Sequence, residues 1–203
     1  MPFTNYSELQ TAIEDWLARE DMTTAQVKDF ITLFEASVNR RLRVRQMETS
    51  ATLTPSSGSA TIPTDYLAWR RVTWTGSTRV ELQYVHPSVL QQYYPDTPSA
   101  TPTVFTIEGS TLKVRPVDGT GLEFDYFQKV PVLSDSNTTN WLLTAYPDLY
   151  LFGSLVEARM FEVDEERAAV WKARRDEILA EIEILDQKTR GAHSIRPLGM
   201  AVV

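Results

Sequence analysis

The apolar residues of this chain change their spacing twice, and that change narrows the folds open to it. They recur every three or four residues from Leu9 to Leu42, alternate singly through the middle of the chain, and return to helical spacing after Tyr146. A chain patterned as helix, then strand, then helix must bury helical stripes against each other and strand faces against each other. The expectation is an α+β protein: a small helical bundle formed by the N- and C-terminal helices, an inserted antiparallel β module and an extended C-terminal tail. The expected boundaries are residues 1–48, 49–140, 141–190 and 191–203.

Local signals place the helices. Ser7-Glu8-Leu9-Gln10 has the form of a capping box, and Leu9, Ile13, Trp16 and Leu17 then share one helical face. Thr23-Thr24-Ala25-Gln26 offers a second cap. The stripe Val27, Phe30, Ile31, Phe34, Val38 and Leu42 follows it, predicting a helix to about Gln46. Near the other end, Pro147 suits a first helical position ahead of Leu149, Phe152, Val156 and Met160. Asp164, Glu165 and Glu166 open a last helix, where acids suit the positive end of the dipole. Ala168, Trp171, Arg175, Ile178, Ile182 and Leu185 form its heptad-like seam, and Gly191 is its expected stop.

Between these helices, Val80, Leu82 and Tyr84 alternate with polar neighbours, as do Leu112 with Val114, and Leu122 with Phe124 and Tyr126. Ser56-Ser57-Gly58 and Glu108-Gly109-Ser110 are turn signals that predict hairpins. About six mostly antiparallel strands are expected. A short helix is expected at residues 87–94 and an exposed proline-rich loop at 95–102.

Composition removes several classes of function. Hydrophobic residues make up 42% and charged residues 23%, which excludes a wholly disordered chain. Twenty Lys and Arg stand against 27 Asp and Glu, a net charge of -7, the opposite of a protein built to grip a phosphate backbone. The chain has no cysteine, hence no disulfide, Cys-ligated zinc or thiol nucleophile. It lacks an apolar run long enough to span a membrane and a signal-peptide pattern, so a cytosolic, soluble protein is expected.

Catalytic motifs are scarce. His86 and His193 have no ligand-like spacing, and Phe152-Gly153-Ser154-Leu155 is only half of a nucleophile elbow. Asp135, Asn137 and Thr139 match part of a calcium loop without its central Gly and terminal Glu. Pairs of acids such as Glu157 and Asp164 leave a carboxylate hydrolase conceivable, but spacing does not set two of them at catalytic separation. No enzyme activity, metal or cofactor is expected.

Three features stand out instead. Arg40, Arg41, Arg43 and Arg45 fall within six positions at a helix end, where cations complement the dipole. Their guanidinium forks also suit carboxylates on a partner protein or the phosphates of DNA. Aromatic residues crowd the strands: Trp69, Trp74, Tyr84, Tyr93, Tyr94, Phe124, Tyr126 and Phe127, most of them expected in the core. The tail carries Ile195, Pro197, Leu198, Met200, Val202 and Val203, an extended apolar segment suited to strand addition on another chain.

Three segments carry a family resemblance. They are Tyr6-Ser7-Glu8-Leu9-Gln10-Thr11-Ala12-Ile13 into Trp16-Leu17, then Val27-Lys28-Asp29-Phe30-Ile31 with Phe34 to Arg43, and then Trp141 to Ala158. Together they resemble the head-to-tail adaptors of tailed bacteriophages, also called head-completion or connector proteins. The resemblance implies a virion protein of the neck, made in the host cytoplasm. Such a protein docks as a ring, commonly a dodecamer, beneath the portal protein. It extends the channel through which viral DNA passes without sequence-specific contact, and it offers a platform to tail or nozzle proteins. It implies neither cofactor nor membrane, and it implies a tail that reaches onto the portal. On opposite charge alone, Arg40, Arg41, Arg43 and Arg45 are expected to meet Asp164, Glu165 and Glu166 of an adjacent copy. An acidic conduit wall would also let DNA slide. The alternative reading is a DNA-binding module that uses the arginine cluster.

Overall fold

A computed structural model describes residues 3–18, 22–94, 96, 101–117, 119–162 and 165–189. Two helices come first, α1 (Tyr6–Leu17) and α2 (Thr24–Arg41). The strands follow: β1 (Glu48–Leu53), β2 (Ser59–Thr61), β3 (Tyr66–Trp74), β4 (Val80–Glu81) and β5 (Gln83–Tyr84). Then come α3 (Pro87–Tyr93), β6 (Val104–Glu108), β7 (Thr111–Arg115) and β8 (Leu122–Gln128). The last helices are α4 (Trp141–Ala145), α5 (Pro147–Glu162) and α6 (Glu165–Thr189). The fold is α+β. The chain divides into two compact units, a helical one from Met1–Gln46 with Val130–Val203 and a strand unit, Met47–Lys129.

Within the helical unit, α1, α2, α4 and α6 each pack on α5. That central place explains why α5 buries Leu149, Tyr150, Leu151, Leu155, Val156 and Ala158, which point around the helix rather than along one stripe. The backbone of α5 comes closest to α2 at Gly153, where an added Cβ would overlap two ring carbons of Phe34. Only a residue without a side chain lets Phe34 sit there.

The start of α1 differs from the expectation. Its cap is Asn5, whose Oδ1 accepts from the Glu8 backbone N–H at 3.0 Å, while Glu8 Oε2 accepts from Thr4 N at 2.7 Å. Asn caps as well as Ser does, and the acid three residues on closes the same reciprocal pair two positions earlier. At α2 the predicted capping box forms, with Gln26 N donating to Thr23 Oγ1 and Thr23 N to Gln26 Oε1. Thr23→Ala should therefore cost about 1 kcal/mol of helical-unit stability in urea titrations. An unchanged midpoint would show that the cap contributes nothing in solution.

The end of α2 is also corrected. It stops at Arg41, and Leu42 has extended dihedrals. Leu42 and Val44 are both buried, so the helical stripe gives way to single alternation after Val38. Arg43 Nη1 caps the end by donating to Asn39 O at 2.8 Å. In α6 the buried face is Ile178, Leu179 and Ile182, and the expected seam residue Leu185 is 51% exposed.

In the strand unit, two four-stranded sheets have the orders β1-β8-β3-β4 and β2-β7-β6-β5. There are eight strands where about six were expected, and one of the additional two arises because the 80–84 run breaks at Leu82. Its halves, β4 and β5, join different sheets, and β5 pairs parallel with β6. Ser57 and Gly58 both have positive φ and turn tightly, but β1 and β2 also part into different sheets beyond the Ser56–Ser59 bridge. The predicted β6–β7 hairpin at Gly109 forms. Val72, Trp74, Leu122, Phe124 and Tyr126 from one sheet share a core with Phe105, Leu112 and Val114 from the other. Among the described residues, no helix is long and apolar enough to cross a membrane.

Candidate functional site

The arginine cluster sits where α2 ends, and the fold treats its members differently. Arg41 Nη1 donates to Asp176 Oδ1 of α6 at 3.0 Å, and Arg41 Nε stands 3.9 Å from Glu183. Arg43 is half-buried and spent on backbone carbonyls. Arg45 donates its backbone N–H to Asp186 Oδ1 at 2.8 Å. The side chains of Arg40 and Arg45 are exposed and have no partner among the described residues. Burial works against the charge of Asp176, yet the Arg175 and Arg41 guanidiniums hold its carboxyl below the ordinary carboxylate range.

Of the expected partners, Asp164 lies outside the described residues, and Glu165 and Glu166 lie in the first turn of α6 with side chains that are not described. The tail residues Ile195, Pro197, Leu198, Met200, Val202 and Val203, like His193, also fall outside the described residues. The acids that the fold does bring to the arginines are Asp176, Glu183 and Asp186. Their steps of seven and three mark one helical face, a sequence signal that could have found them.

Beside α1 runs an open groove of about 730 Å³, lined by Phe3, Ser7, Glu8, Ala12, Trp16 and Leu151 among others. Trp16 is 50% exposed and meets Phe152 edge-on, with ring centroids 5.7 Å apart. The last turn of α1 is tied to α6 through Arg159. This side chain reaches Leu17 O at 3.5 Å and lies 5.4 Å from the Trp171 ring.

In the strand unit, half of the eight aromatic residues expected mostly in the core are there: Trp74, Phe124, Tyr126 and Phe127 are buried, whereas Tyr93 is exposed and Tyr94 half-buried. Trp69 and Tyr84 are exposed as well. They stack with centroids 5.6 Å apart, 40% and 44% exposed, over the buried edge of Phe105.

The helical unit also buries a carboxyl. Glu35 Oε1 accepts from Leu133 N at 3.0 Å and from Tyr150 Oη at 2.9 Å. Asn140 Nδ2 donates to Tyr150 Oη at 2.6 Å and to Pro131 O at 2.7 Å, while Asn140 Oδ1 caps α4 by accepting from Leu143 N. Glu35 Oε2 has no hydrogen-bond partner among the described residues. Burial pushes the Glu35 carboxyl up to about 7, against the two hydrogen bonds that favour its charge. Burial, then the nearby carboxylate, raises Tyr150 further. The network ties loop 130–140 to α2 and α5. His86 caps α3, its Nδ1 within 2.8 Å of Ser88 Oγ. Among the described residues no three His, Cys, Asp or Glu side chains converge as a metal site.

A family model described as SU10 adaptor protein matches residues 4–200. The chain belongs to this phage adaptor family. No curated protein compared with it matches. The match spans both units of the adaptor, so the strand insert is part of the family pattern and not an addition peculiar to this chain.

Proposed function

We propose that this phage structural protein assembles as a closed ring beneath the portal, prolongs the DNA channel, and gives tail or nozzle proteins a platform to dock on. The observation that carries the reading is the family match over residues 4–200. The free side chains of Arg40 and Arg45 agree with it, since a heterologous ring leaves on each copy a patch for a different patch of its neighbour. In this reading Arg40, Arg41, Arg43 and Arg45 form one side of the copy–copy contact, and the acidic turn Asp164, Glu165 and Glu166 contributes to the other. The tail from Ile195 to Val203 reaches the portal. The net charge of -7 weighs against the DNA-binding alternative.

Phage grown with this gene silenced should yield filled heads without tails, and complementation should restore a ring at the neck visible by electron microscopy. Normal tailed particles lacking the protein would end the proposal.

A further inference from the structure

We infer that the groove beside α1, lined in part by Asp15 and Trp16, is the surface on which a second copy of this chain seats Arg40 and Arg45, at and beyond the end of α2. The inference rests on the ring reading and names the two halves of its contact. Charge complementarity carries it. The groove side presents Glu8 and Asp15 beside Trp16, and Asp15 is exposed with no partner among the described residues. The arginine side presents two guanidiniums that are likewise unpaired.

Asp15 lies on α1 and Arg40 on α2, so the two patches are distinct surfaces of one copy, as a head-to-tail contact requires. The chemistry matches as well. A guanidinium gains from an indole face and from a carboxylate at once, and Trp and Arg dominate interface energetics. Trp16 is also the residue on α1's apolar stripe that the bundle leaves half-covered, while Leu9, Ile13 and Leu17 are fully buried.

The chain has no cysteine, which makes the test clean. An Arg–Asp pair holds its Cα atoms too far apart for a disulfide, which needs roughly 7 Å or less. Full-length phage carrying Asp15→Cys together with Arg40→Cys is therefore treated with a short bis-maleimide. The expected result is covalent multimers of this chain larger than a dimer, with only monomer from either single variant. As a second arm, Asp15→Lys or Arg40→Glu alone should lower the yield of tailed particles at least tenfold, and the two together should recover most of it. Particles whose necks hold the ring but give no 15–40 multimers, and no recovery in the swap, overturn the inference and leave the ring reading standing. So does a crosslink from the Asp15→Cys variant to a portal or tail protein. Necks without any ring overturn both.

Discussion

Gly153→Ala should destabilise the helical unit by about 2 kcal/mol, and Gly153→Leu should prevent its folding. Helix propensity alone makes the opposite prediction, because Ala in a helix interior is worth about 1 kcal/mol over Gly. The contact decides the sign. The added Cβ would overlap the Phe34 ring, and Phe34 has no room to retreat. It is buried and packs edge-on against Tyr150 with centroids 5.2 Å apart. Overpacking of this kind costs about 1–3 kcal/mol after relaxation. Urea unfolding followed by far-UV circular dichroism measures it. Phe34→Leu should absorb much of the penalty, so the double variant should lose less than the sum of the singles. A raised midpoint for Gly153→Ala would falsify the close approach of α2 and α5.

The second large effect is a pH dependence that belongs to Glu35. Its folded carboxyl titrates near about 7 against an ordinary 4.5, because burial disfavours its charge. The folded state thus holds the proton more tightly than the unfolded chain does. The stability this supplies is complete below pH 4.5 and is lost as pH rises through about 7. The span is about 3 kcal/mol at most, at about 1.4 kcal/mol for each tenfold change in proton affinity. Glu35→Gln keeps the acceptor for Leu133 N and Tyr150 Oη but cannot ionise. Its stability should stay level between pH 4.5 and about 7 while the wild type declines. Subtracting the two curves removes what is common to both proteins and leaves the contribution of Glu35. Parallel curves would show that Glu35 is charged in the native protein.

The periodicity carried most of the architecture. It placed the helices at both ends and the strands between, because burial imposes its own spacing on each element. It failed where burial changed mode within a few residues. Leu42 continues a helical stripe in sequence, yet with Val44 it is buried in extended chain. Leu82 continues an alternation, yet the strand breaks there and its halves join different sheets. The helix α4 has too few residues to show a period and is marked only by its Asn140 cap. The arginine cluster was plain from composition. Its intramolecular partners Asp176, Glu183 and Asp186 share one helical face in sequence, but nothing local ties that face to arginines 135 or more positions away. The Glu35 network was hidden for the same reason: a lone Glu among apolar neighbours on a helix looks like a solvated one until α5 and loop 130–140 close over it.

The pairing of β1 with β8 has a consequence for how such proteins diversify. Glu48 stands opposite Phe127, so the first and last strands of the insert are zipped together from their outer ends. For the helices, the whole strand unit is topologically equivalent to one tight turn. Evolution or an engineer can lengthen, exchange or decorate that cassette to suit a new tail without rewriting the bundle that carries it.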